Sequence, residues 1–179
     1  MPAPTLATLA KIPGLSTRVV VGVGELGTSN NPTAVLTTYA LGSCLGITIY
    51  DPVTRTGGLL HSMLPDSTIN PTKARQQPAM FIDTGLPALF RAAYDLKADK
   101  HRIQICVAGG AQVLDSGAIF NIGQRNHQAL SRILSQHGLT VRAEHVGGLA
   151  SRTMTLNLAT GEVRLKVGGV PGEQTLFRG

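Results

Sequence analysis

The sequence predicts an α+β fold. Short β-branched apolar runs separated by turn residues fill the first third of the chain, two helix-spaced segments occupy the middle, and strand-like runs return at the end. That order is not the regular alternation of strand and helix that builds a parallel sheet.

The strand assignments begin with residues 18–23, an apolar run rich in Val, followed by 34–39, 44–50 and 58–61. The breaks between them are explicit: 27–32 contains Ser29-Asn30-Asn31-Pro32, Asp51-Pro52 opens a turn, and Gly57-Gly58 closes one. From 65 to 77 the chain is polar with two prolines, an exposed loop directly after the His61 run. Residues 78–97 place Phe81, Leu86, Leu89, Phe90, Ala93, Tyr94 and Leu96 at spacings suited to one helical face, but Gly85-Leu86-Pro87 argues for a helix that begins at about Pro87. Residues 103–108 read as a buried strand ending in Gly109-Gly110. Residues 126–137 repeat Leu130, Ile133, Leu134 and His137 at helical spacing before a stop at Gly138. Strands are expected at 140–145, 153–158 and 162–167, with Ala159-Thr160-Gly161 as the turn between the last two. Residues 1–17 are read as an N-terminal extension, 18–167 as a single domain and 168–179 as a flexible tail.

Composition narrows the classes of function. A hydrophobic content of 42% is enough for a continuous core, and with 4% aromatic residues and no Trp that core must rest on aliphatic side chains. No apolar run reaches signal-peptide or membrane-span length, so the chain is expected to be soluble and not inserted in a membrane. Two cysteines, Cys44 and Cys106, are too few for a disulfide framework and fit a reducing, cytoplasmic setting. The formal charge of +6 favours an acidic partner. Nucleic acid is the poorer choice, because the cations are scattered and no aromatic residues interleave with them.

Several motifs have to be weighed against plainer explanations. Gly22, Gly24 and Gly27 match the spacing G-x-G-x-x-G, but Ser29-Asn30-Asn31-Pro32 continues as loop where a dinucleotide site needs a helix N-terminus, so no nucleotide cofactor is expected. The five histidines form no H-x-x-x-H pair and no cysteine lies near enough for a local site, so no metal is expected either. His137 is read as a helix-end residue and Cys106 as a small hydrophobe in a strand. Cys44 differs: Gly42-Ser43 precedes it and a strand follows, which places a thiol at a turn where backbone can approach a ligand. His61 ends a neighbouring apolar run and would stand beside Cys44 if the two strands were adjacent. The residues by themselves leave two readings open, a nucleophile with its base or a buried Cys and a strand-end His.

Taken together, Thr38-Tyr39-Ala40-Leu41-Gly42-Ser43-Cys44 and His61-Ser62-Met63-Leu64-Pro65 resemble the signature of the bacterial chemoreceptor glutamine deamidases, the CheD family. Gly109-Gly110-Ala111, Ile122-Gly123-Gln124-Arg125-Asn126, Val146-Gly147-Gly148 with Arg152, and Thr160-Gly161-Glu162-Val163 look like that family's later blocks in the same order. Ser62, Gln124 and Cys106 depart from its usual pattern. The resemblance implies a β-sandwich-like core of mixed or antiparallel sheets with helices packed outside, similar to cytotoxic necrotizing factor-type cysteine hydrolases. It also implies a catalytic set of Cys44, His61 and Thr38, with no cofactor. Backbone at Gly42, Ser43 and Cys44 is the expected place for the oxyanion. The implied substrates are glutamines of methyl-accepting chemoreceptor cytoplasmic domains, and a CheC-type phosphatase is the implied second partner. A non-catalytic adaptor binding the same partners is the alternative. A cysteine peptidase is disfavoured, since no papain-type context surrounds Cys44.

Overall fold

The computed structural model describes residues 16–112 and 121–179, so most of the expected N-terminal extension lies outside the described residues. Among the described residues ten strands form two five-stranded mixed sheets. The first has the order β1 (Thr17–Val20), β3 (Ala34–Leu41), β8 (Arg152–Asn157), β9 (Val163–Val167), β10 (Gln174–Phe177). The second has the order β2 (Glu25–Ser29), β5 (Thr56–Ser62), β4 (Leu45–Asp51), β6 (Gln104–Gly109), β7 (Val141–Val146). Among the described strands only β1–β3 and β6–β7 are parallel pairs. The α+β class is as the sequence predicts.

The sheets pack face to face, and helices α2 (Ile82–Asp95) and α3 (Ile122–Gln136) cover the outer face of the second sheet. Two apolar layers result. Leu36, Met154, Leu156, Val163 and Leu165 of the first sheet meet Tyr50, Leu59, Cys106 and Ala108 of the second. Leu45, Ile47, Ile49, Leu60, Ile105 and Val107 point the other way, against Leu86, Leu89, Phe90, Leu130 and Leu134 of the helices. The second sheet is therefore covered on both faces, which is why every residue of β4 and β5 is buried, the polar Thr48, Asp51, Thr56, His61 and Ser62 included. The first sheet is wet on one side, and β8 and β9 alternate accordingly.

Five expectations are corrected. The first long helix, α2, starts at Ile82, not Pro87: Pro87 forfeits one backbone bond, but Ile82, Leu86, Leu89, Phe90 and Ala93 are buried along one face and hold the helix through it. Helix α3 begins at Ile122, four residues ahead of the expected start, because the Asn121 side chain accepts from the Gln124 N–H. Its end at the His137 cap and left-handed Gly138 is as predicted. Residues 27–29, read as part of the break at 27–32, belong to strand β2, so a strand and not a helix follows Gly22-Val23-Gly24. The segment 168–179, read as a flexible tail, carries β10 paired with β9, and the polar loop at 65–77 contains the short helix α1 (Pro71–Gln76).

Candidate functional site

Thr38 and His61 lie on facing sheets. Ala34, Leu36 and Thr38 of β3 point into the layer between the sheets, and so do Leu59 and His61 of β5. At one end of the sandwich Thr38 Oγ1 and His61 Nδ1 are 2.7 Å apart, a hydrogen bond that joins the two sheets with both residues buried. Thr38 Oγ1 also lies 2.7 Å from the Val21 carbonyl.

This pair of contacts fixes the protonation of the ring. A carbonyl only accepts, so the single hydroxyl proton of Thr38 goes to Val21 O, and Thr38 must accept from Nδ1–H. The imidazole is then the Nδ1–H tautomer with its lone pair on Nε2, and among the described residues no group hydrogen-bonds that buried atom. Burial pushes the imidazole down from 6.5 to about 4, with a smaller opposing pull from Glu25, its cross-strand neighbour on β2. His61 is therefore a neutral acceptor at physiological pH. Thr38→Val, which keeps the volume but leaves both Val21 O and Nδ1–H unsatisfied, should lower the unfolding free energy by about 2 kcal/mol, whereas Thr38→Ser, losing one methyl, should lose about 1. Urea denaturation at neutral pH distinguishes the two.

Cys44 sits in the turn between β3 and β4. The chain leaves β3 through a bulge, with Ala40 at φ 56°, and the Gly42 N–H donates to the Ala40 carbonyl at 2.9 Å. Three successive carbonyls of the turn are tied inward: Gly42 O accepts from Ala111 N–H, Ser43 O from Asn126 Nδ2, and Cys44 O from Gly110 N–H, at 2.8, 3.0 and 2.8 Å. Gly109 permits this approach, because at φ 112° a Cβ there would lie 2.1 Å from Cys44 O. Among the described residues no main-chain carbonyl accepts from the N–H of Ser43 or Cys44. Gly42, by contrast, has its N–H engaged within the turn and serves the bend itself.

Register relates Cys44 to His61. Gly46 pairs with His61 across β4 and β5, and Cys44 lies two residues before Gly46, on the side of the sheet where it packs against the inter-sheet layer. The two thus occupy diagonal positions at the end of adjacent strands, a relation that in a regular ladder spans about 7–8 Å between backbones. Cys44 is half-buried, and burial raises its thiol above the ordinary value, against a smaller lowering by its own backbone N–H. At rest the thiol and the imidazole are both neutral, and among the described residues no hydrogen bond joins them. Cys106, the other cysteine, is buried in β6 and pushed up to about 11 by desolvation, as suits a thiol packed as a hydrophobe.

Two further residues support the turn. Arg152, 4% exposed, donates to His145 Nδ1 at 2.9 Å and to the carbonyls of Gly147, Ala150 and Gly109, tying β8 to the end of β6 that carries the Cys44 anchor. Asn126 is fully buried, and its Nδ2 reaches Met63 O as well as Ser43 O, both at 3.0 Å. The signal for Asn126 in the sequence was an amide on the same helical face as Ala129, Leu130 and Leu134, where a hydrophobe would be ordinary. No helix among the described residues is long and apolar enough to cross a membrane.

The relatives of the chain are consistent with this arrangement. A family model described as CheD chemotactic sensory transduction matches residues 63–167. The chain is 45% identical over 152 residues to a probable chemoreceptor glutamine deamidase CheD of Solibacter usitatus (strain Ellin6076), covering 85% of this chain and 90% of that protein. It is 43% identical to the probable chemoreceptor glutamine deamidase CheD 1 of Syntrophus aciditrophicus (strain SB), over 86% of this chain and 96% of the relative. It is also 43% identical to the CheD 2 of Anaeromyxobacter dehalogenans (strain 2CP-C), over 84% and 94%. With a family match across more than half its length and relatives aligned almost end to end, this chain belongs to the CheD family.

Proposed function

We propose that this chain is a protein-glutamine deamidase that converts glutamine side chains of methyl-accepting chemoreceptors to glutamate, with Cys44 as nucleophile, His61 as general base and acid, and Thr38 holding the His61 ring. The observation that carries the reading is the Val21–Thr38–His61 chain of hydrogen bonds, which leaves an unpartnered, buried Nε2 lone pair on the face of the sheet that Cys44 shares.

The chemistry follows from the two neutral groups. A carboxamide is a weak electrophile with a poor leaving group, so it needs both a strong nucleophile and a proton for the departing nitrogen. Burial disfavours the free thiolate, so the thiol proton passes to Nε2 as sulfur attacks the glutamine Cδ. The S–C bond forms and the carbonyl electrons move to oxygen. The Ser43 and Cys44 N–H groups serve that oxyanion. The imidazolium, with a pKa of about 4, is a strong acid. It delivers its proton to the nitrogen as the C–N bond breaks, releasing ammonia and leaving a thioester. Water then gives a proton to Nε2 and adds to the thioester carbon. Collapse expels the sulfur, which recovers that proton, and a glutamate remains in place of the glutamine.

The receptor substrate rests on the names of the relatives, which are called chemoreceptor glutamine deamidases, and the +6 charge suits a carboxylate-bearing partner. The same family resemblance is the basis for three further parts of this reading: a CheC-type phosphatase as second partner, a cytoplasmic location, and a fold relationship to cytotoxic necrotizing factor-type hydrolases. The test is intact-mass analysis of a receptor signalling fragment after incubation, where each converted site gains about 1 Da with equimolar ammonia. A fragment that binds the protein yet neither gains mass nor yields ammonia would favour the adaptor.

A further inference from the structure

We infer that Asn126 is a positioning residue that locks the Cys44 turn to the His61 strand. The antiparallel ladder of β4 and β5 ends at the pair Leu45 and Ser62. The next pair would be Cys44 and Met63, but there the strands part, and the N–H groups of Met63 and Leu64 both turn away to the Met80 carbonyl. Asn126 fills the gap: its Nδ2 donates to Ser43 O, one residue before the nucleophile, and to Met63 O, two residues after the histidine, each at 3.0 Å.

Three features separate this from ordinary core packing. Both amide hydrogens are used on acceptors 83 and 63 residues away in sequence. Oδ1 is buried without a partner among the described residues, and turning the amide over would set that oxygen against two carbonyl oxygens. The side chain therefore contributes as a pair of donors and nothing else. It is also carried on a rigid support, since Ala129, Leu130 and Leu134 of α3 are buried against the second sheet. A backbone rung at this point would have used main-chain donors of the turn. A side-chain clamp on the carbonyls holds the same spacing while keeping the Ser43 and Cys44 N–H groups free for the reacting carbonyl.

The kinetic part of the inference rests on the deamidase reading, so the test has a second arm that needs no substrate. Asn126→Ala, the isosteric Asn126→Asp and Leu134→Ala, a core truncation on the same helix, are compared at a temperature where each is folded by circular dichroism. Both Asn126 variants should lose about 100-fold in kcat with KM within about threefold of wild type, while Leu134→Ala keeps kcat within about threefold. In the second arm, alkylation of Cys44 by iodoacetamide is followed against pH, with the adduct located by peptide mass. Its midpoint should move in both Asn126 variants, downward toward the ordinary thiol range in Asn126→Ala as the loosened turn hydrates the sulfur and upward in Asn126→Asp, where the new carboxylate opposes the thiolate, and stay in place in Leu134→Ala. If Asn126→Ala does not fold, Asn126→Asp decides alone. An Asn126 variant with unaltered kcat and an unaltered alkylation midpoint, or Leu134→Ala matching its losses, overturns the inference. If wild type releases no ammonia, the deamidase reading fails, and the alkylation arm still decides the role of Asn126.

Discussion

Cys44→Ser should release ammonia from a receptor fragment at least about 10,000-fold more slowly than wild type while remaining folded. The substitution exchanges one atom, and the sulfur is half-buried at a turn fixed by main-chain bonds of Gly42, Ser43 and Cys44, so stability should stay within about 1 kcal/mol. The rate collapses because a serine hydroxyl holds its proton far more tightly than a thiol does, and its attack must fall on a carboxamide, a much poorer electrophile than the thioester that water attacks with the help of His61. Cys44→Ala should fall to the same floor, and the two variants should be indistinguishable by intact mass of the receptor fragment. Retention of more than a few per cent of activity in the serine variant would mean that sulfur is not the attacking atom. Cys106→Ala is the matched control: that thiol packs between the sheets, and its removal should lower stability without entering the chemistry.

How much of this was legible beforehand varies by element. β4 read nearly correctly because both of its faces are covered and apolar residues dominate it, while β5 was only half read, since Gly57-Gly58, taken as a turn, lies inside the strand opposite Tyr50 and Ile49; β8 and β9 read correctly because one face is wet and the residues alternate. β2 and β10 did not, since each is an edge strand whose pairing is written in its neighbour: Glu25-Leu26-Gly27-Thr28-Ser29 has little strand character of its own and is held by the β5 ladder and by Val21 lying over Gly27. Pro87 misplaced the start of α2 because local propensity says nothing of the apolar face buried on either side of it. At the site, the residue types and the resemblance nominated Cys44, His61 and Thr38. The direction of the Thr38 hydrogen bond depends on a carbonyl seventeen residues upstream and on two sheets meeting, and only coordinates supply it. Asn126 was harder still, since its acceptors are main-chain atoms with no signature in the sequence.

His61→Asn should lower kcat by about 1,000-fold and, in the same molecule, flatten part of the pH dependence of stability. Asparagine can place its Nδ2 near the position of Nδ1 and still donate to Thr38 Oγ1, so the bond between the sheets survives while the Nε2 base is gone. In wild type the histidine pKa is lowered on folding from 6.5 to about 4. Above 6.5 both states hold a neutral ring and the full stability is present. As pH falls below 6.5 the unfolded chain takes up a proton that the folded chain refuses until about 4, so stability drains across that window, by about 2 kcal/mol at about pH 5. Asp51 does not obscure this. Burial opposes its charge, but hydrogen bonds from Arg102 and from the N–H groups of Asp99, Val53 and Thr54 hold it at about 2, so its contribution is lost only below the ordinary value of 3.8. Urea midpoints at about pH 7 and about pH 5 should therefore draw closer together in His61→Asn than in wild type. An unchanged gap would mean that the ring is solvated and titrates normally, and a solvated ring could not serve as the strong acid that cleavage of the C–N bond requires.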